Sequence, residues 1–166
     1  GLLARQEQDK MRVLEVERRP HERRTMLDGQ IEDIRQVAKV VSEETKSLEE
    51  RSGRKLERAC VAAAGRALRT ERGEYCLELS APEIVKGERI SQLELEAVAA
   101  AERTLQDKEQ EQRMFLVGYT VTQLRLDHYP MTSLEGHTGQ VLEAAVVATF
   151  LPSEVVDSLY AVMVEA

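Results

Sequence analysis

Tryptophan is absent and aromatic residues make up only 4% of the chain, so any core must be built from Val, Leu, Ile and Ala. No run among the 166 residues is long and apolar enough for a transmembrane helix, and no signal peptide opens the chain. Basic residues are outnumbered, with 23 Lys and Arg against 30 Asp and Glu and a net charge of −7. That balance argues against general nucleic-acid binding, which needs concentrated Lys and Arg to neutralise phosphates. The single basic cluster, RRPHERR from Arg18 to Arg24, reads as a solvated loop. Cysteine is scarce as well. Cys60 and Cys76 each sit in an apparent strand and read as buried free thiols in a reducing compartment. No Walker-type loop and no G-x-G-x-x-G occurs, so the sequence offers no glycine cradle for phosphates.

What the chain does have is a long apolar stretch, Met114 to Leu151. MFLVGYTVTQLRLD and VLEAAVVATFLP are β-branched and strand-like in length, and the polar link EGHTG carries Gly136 and Gly139. Read as a hairpin, they form the surface that the other elements must cover. A chain of this length buries roughly 70% of its unfolded surface and needs no disulfide or metal to hold it. It suits one domain, or one domain with an inserted subdomain.

The remaining elements follow in order. Gly1 to Ala4 reads as strand, Gln6 to Lys10 as a turn, and Met11 to Glu17 as a strand alternating with period two. Arg18 to Leu27 is a charged loop with Pro20 as a breaker. A helix runs from an N-cap at Asp28 to a stop at Gly53, with Ile31, Ile34, Val37, Ala38, Val41 and Leu48 on one stripe. Its carboxylates lie mainly off that stripe and read as a solvated face. Leu56 to Ala64 reads as a buried parallel strand ending at Gly65. Arg66 to Gly73 is a basic connection, Glu74 to Leu79 a strand, and Ala81 to Arg89 a loop. Ser91 and Glu94 form a capping box that opens a helix with Leu95, Val98, Ala99 and Leu105 on its apolar stripe. Asp107 to Arg113 is a loop. Ser153 caps a last helix that buries Val155, Val156, Leu159, Val162 and Met163.

Chemistry is harder to find. His21, His128 and His137 have no partner at metal-ligand spacing. Asp127-His128 sits at a strand end and has the composition of half an acid/base pair, but no nucleophile elbow accompanies it. Gly136-His137-Thr138-Gly139 has the G-x-x-G form of an RNA-clamping loop. It joins strands and lacks Lys or Arg, so a tight turn is the better reading.

Several strings in order resemble the FtsA-like group of actin-like ATPases, which also contains PilM of type IV pili. MLDGQIEDI at Met26 to Ile34 is similar to the family's G-x-I-x-D lead into the first helix, with Gly29, Ile31 and Asp33 in place. RACVAAAGRALRT at Arg58 to Thr70 resembles the next strand and its glycine. RISQLELEAVAAAE at Arg89 to Glu102 resembles the helix start of the inserted subdomain, with Ser91 and Glu94 in place of Thr and Asp. YPMTSLEGHTGQVLEAAVVATFLP resembles that subdomain's last turn and strand. The RRPHERR loop departs from the FtsA pattern.

The resemblance implies an α+β (α/β) fold: part of an actin-like, ribonuclease H-like first lobe over 1–70, an inserted strand–helix–strand–strand subdomain over 71–152, and a returning helix over 153–166. It implies a piece of a longer protein whose family binds ATP and magnesium through phosphate loops this chain lacks. The piece itself is then expected to use no cofactor or metal and to perform no catalysis. The implied role is protein–protein interaction and self-assembly in bacterial cell division at the septum, with other division proteins as partners. No nucleic acid and no direct membrane contact are expected, and the setting is cytoplasmic, at the inner face of the membrane. A PilM-like role in pilus or secretion assembly is the first alternative. The candidate contacts are Gln92, Glu96 and Arg103 on the Ser91 helix, with Glu135, Gly136, His137 and Gly139 in the turn. Two rivals carry their own signatures. A small enzyme or ligand-binding domain requires a deep pocket at Asp127 and His128. A nucleic-acid binder requires a basic stripe joining Arg66, Arg69 and Arg72 to Arg18–Arg24.

Overall fold

The computed structural model describes residues 1–21, 25–27, 29–63, 66–108 and 112–166. Every sheet among them is antiparallel, and with three helices the arrangement is α+β. The chain divides into one unit of Gly1–Ala67 with Glu154–Ala166 and another of Leu68–Ser153.

The second unit is built on four strands, β5 (Arg69–Ile84), β6 (Met114–Leu126), β7 (Tyr129–Met131) and β8 (Thr138–Pro152), with helix α2 (Gly87–Lys108) between β5 and β6. Their order is β5-β8-β6-β7, so the last strand lies inside the sheet. The hairpin expected from Met114 to Leu151 is present as the antiparallel β6–β8 pair, from Met114 opposite Pro152 to Leu126 opposite Leu142. Along β8 the even positions Leu142, Ala144, Val146, Ala148 and Phe150 are buried, while the odd positions between them are half-exposed. This is the period-two pattern of a sheet covered on one face. The cover is α2, which presents Leu93, Ala97, Val98, Ala101 and Leu105 to that face. Gly73 lets the helix come down onto β5: a Cβ there would run into the carbonyl oxygen of Ala97 and the amide of Ala101. Burying each large side chain such as Phe150 or Leu93 contributes about 1.5–3 kcal/mol.

The first unit holds two ribbons, β1 (Leu2–Glu7) with β2 (Lys10–Val16), and β3 (Met26–Leu27) with β4 (Gln30–Ile31). Helix α1 (Ile34–Ser52) is capped by Asp33, whose carboxylate accepts from the Gln36 amide at 3.0 Å. It stops at Gly53, at φ 65°, whose amide donates to the Glu49 carbonyl. Arg51 and Ser47 of α1 hold Glu17 beside the end of β2. Helix α3 (Ser153–Glu165) supplies Val162, which joins Val37 and Ala38 in a small core edged by Ile31, Ile34 and Val41.

Several expectations are corrected. The strand expected over Leu56–Ala64 is absent: residues 55–63 have no regular structure, and Cys60 and Val61 are exposed. Alanine-rich sequence favours strands weakly, and charged Glu57 and Arg58 interrupt it. Residues 64 and 65 lie outside the described residues. Both cysteines are free but exposed, not buried. Cys76 sits on the uncovered face of β5 because the covered face takes Tyr75, Leu77 and Leu79. The connection expected at Arg66–Gly73 and the loop at Ala81–Arg89 are largely strand and helix. β5 pairs with β8 from Arg69 to Glu78 and again at Glu83 and Ile84, with a bulge between that accommodates Pro82. Helix α2 starts at Gly87, so Ser91 lies one turn inside it and caps nothing. Asp33 rather than Asp28 caps α1, because residues 30 and 31 pair in a ribbon first. Asp28 itself lies outside the described residues, as do residues 22–24 of the basic cluster and 109–111 of the loop before β6.

Candidate interaction surface

The candidate residues belong to the second unit and gather mainly at one end of it. After β5, Val85 is buried and its backbone holds the turn before β8: its amide donates to the His137 carbonyl at 2.8 Å, and its carbonyl accepts from the Gly136 amide at 2.9 Å. The turn needs Gly136, which sits at φ 79°. Leu134, fully buried, anchors its near side and accepts from the His137 amide. Glu135, Gly136 and His137 are exposed. Gly139 is not. It is buried under the side chain of Leu126, where a Cβ has no room, so it serves packing rather than contact.

Because that turn is tied to Val85, it lies beside the first turn of α2, and the Glu135 carboxylate comes near Gly87. There Glu83, Ile84, Lys86, Glu88, Arg89 and Gln92 line an open groove of about 580 Å³. Arg89 spans it, donating to Glu83 at 3.1 Å and to Gln92 at 3.2 Å. Ile84 is 59% exposed in its midst, an apolar side chain inside a rim of both charges. At 100° per residue, Gln92, Glu96 and Arg103 fall within about 40° on the outer face of α2. Gln92 and Arg103 are exposed and Glu96 is half-buried. Arg103 stands about 16 Å along the axis from Gln92, at 1.5 Å per residue, and is not part of the groove. Sequence reasoning placed 81–89 in a loop and so missed Ile84, Lys86 and Arg89. The signal that could have found them is Ile84-Val85 just before a helix-forming run: one apolar residue goes in and its neighbour is left out.

Asp127 and His128 form a two-residue turn between β6 and β7, at φ 48° and 70°. The Asp127 carboxylate accepts from the Gln140 amide at 3.0 Å and the Val141 amide at 2.9 Å. These bonds, Val141 first, hold its pKa below the ordinary carboxylate value, with His128 adding to the effect. Its oxygen is thus committed to tying the turn to β8. His128 Nδ1 lies 3.4 Å from Glu143 Oε2, within ion-pairing range but outside hydrogen-bond geometry, so that buried oxygen keeps no hydrogen-bond partner. Across the strands from Glu143 are Cys76 and Arg125. Partial desolvation against the sheet, then Glu143 and Glu78, pushes the exposed Cys76 thiol above its usual range, the opposite of what an activated nucleophile requires. A cavity of about 270 Å³ lies on this face between Glu74, Cys76, Gln123, Arg125 and Glu143, and neither Asp127 nor His128 lines it. Elsewhere the Tyr119 hydroxyl donates to Glu94 at 3.0 Å, tying β6 to α2 and raising the phenol's pKa.

Among the described residues no group of three His, Cys, Asp or Glu side chains is placed to hold a metal ion, and no helix is long and apolar enough to cross a membrane. No protein-family model matches the chain, and no curated protein matches it.

Proposed function

We propose that the second unit is a protein–protein interaction module that joins copies of this chain, as part of an FtsA-like actin homologue acting in bacterial cell division. The observation that carries the reading is Ile84, exposed in a groove rimmed by Glu83, Glu88, Lys86 and Arg89. An apolar centre within a rim of both charges is the anatomy of a protein contact, and mixed charge allows the same patch to face itself across a twofold axis. The order of the unit is β5, α2, β6, β7 and β8; setting aside the three-residue β7, it has the strand–helix–strand–strand sequence that the resemblance implies, and this supports the reading. On this reading the first unit belongs to an actin-like lobe, the site of action is the cytoplasmic face of the septum, and ATP and magnesium are bound by phosphate loops outside this sequence.

Light scattering across a concentration series tests the proposal. The chain should form a dimer as concentration rises, and Ile84→Asp, a change at an exposed position, should hold it monomeric. A wild-type chain that is monomeric at every concentration, or an Ile84→Asp chain that dimerises as well as wild type, removes the groove as the self-contact.

A further inference from the structure

We infer that the first unit carries a binding site for a small phosphate-type oxyanion, with Arg19, Pro20, His21 and Thr25 facing the side of α1. Arg19, Pro20, His21, Thr25, Gln36, Lys39, Val40 and Glu43 line a cavity of about 270 Å³ there, near the lower end of small-ligand pockets at roughly 300 Å³. Gln36, Lys39, Val40 and Glu43 recur at helical spacing and form one wall. Thr25 forms the other. Its carbonyl accepts from the Glu32 and Asp33 amides, fixing it against the start of α1. Thr25 is only 5% exposed, yet its hydroxyl has no hydrogen-bond partner. A buried hydroxyl without a partner is costly, and an acceptor brought into the cavity removes that cost.

The charges select the acceptor. Arg19 is already committed to Glu17 at 3.3 Å and to Glu43 at 3.0 Å, which also takes up the one carboxylate among the described lining residues. Lys39 has no ion-pair partner among the described residues, so its ammonium is left to meet a ligand. A hydroxyl, an ammonium, the Gln36 amide and the His21 imidazole suit an anion with several acceptor oxygens. This site is independent of the groove at Ile84.

The test is a titration of the ¹⁵N-labelled full chain with inorganic phosphate against sodium chloride at equal ionic strength. Phosphate should give saturable shifts at the Thr25, Gln36 and Lys39 amides, and chloride none. Thr25→Val, which keeps the shape and removes the hydroxyl, should weaken phosphate binding about five-fold, the worth of one hydrogen bond, without lowering the unfolding midpoint. Lys39→Met, at an exposed position, should weaken it by a similar factor. Absence of saturation, an equal response to chloride, or phosphate affinity unchanged in both variants overturns the site.

Discussion

The two units solve the same problem with unequal means. In the second, a four-stranded sheet presents one apolar face to one helix, and Leu93, Leu105, Leu142 and Phe150 are buried beneath it. In the first, α1 and α3 form a core of Val37, Ala38 and Val162, to which the two short ribbons add only Ile31 at its edge. Leu2, Met11, Val13 and Val16 of the β1–β2 ribbon are exposed. A two-stranded ribbon has too few backbone bonds and too narrow a face to be stable by itself. The first unit therefore rests on α1 with its caps and on ion pairs, such as Arg51 with Glu17, that are individually weak in solvent. The same chain thus shows that strand number decides how much apolar surface a helix can hide.

The largest effect expected from this contrast is at Leu93, which has no exposed surface. Leu93→Ala should cost about 2–5 kcal/mol. Hydrogen exchange followed by peptide should show protection lost in β5, β6 and β8 and kept in α1. Equal loss in α1 would mean the two units unfold as one. Next comes the cap of the weaker unit. Asp33→Ala should cost about 1 kcal/mol. In a unit with so small a core, that loss should appear as faster exchange along α1, while β8 is unchanged. Protection of α1 that does not move would show that its packing, not its cap, sets its stability.

The smallest expected effect is at the exposed turn of Asp127. Its pKa is held low in the folded state, chiefly by the Val141 amide and then that of Gln140. A depressed carboxylate stabilises the fold fully above its unfolded pKa, about 3.9, and that contribution is lost as pH falls through the lower folded value. Asp127→Asn should therefore flatten the fall in urea midpoint between pH 5 and about pH 3. A variant that falls as steeply as wild type would assign the acid sensitivity to other carboxylates.

The strongly patterned parts of this fold were legible beforehand. The alternation of Met11 to Glu17 marks β2 and the β-branched runs mark β6 and β8, while Gly53 marks the end of α1 because it takes the left-handed φ that stops a helix. β5 was half hidden. Its open face carries Arg72, Glu74 and Glu78, and charges facing solvent along a strand resemble those of a loop. Gly73 looked like punctuation, whereas it is there so that a helix can come close. The segment around Ala59 to Ala63 misled in the other direction: small residues read alike in a buried strand and in an exposed connection. Among the candidate contacts, Glu135 to His137 could be placed because glycines bracket them. The groove could not, since it depends on the bulge in β5 and on the start of α2, and neither has a distinctive residue.

The order of the strands has a consequence in time. β8 is an inner strand of its sheet and the last of the four to leave the ribosome, and Phe150, which pairs with Arg69 at one edge, is made long after it. At about 5–20 residues per second the interval is on the order of seconds. Until β8 is made, the apolar side of β5, and then that of β6, lacks its neighbour in the sheet, and α2 is made before the surface it will cover is complete. Newly made chains are thus most prone to pair with one another in that interval, and a ribosomal pause inside β8 would prolong the risk more than a pause anywhere upstream of β5.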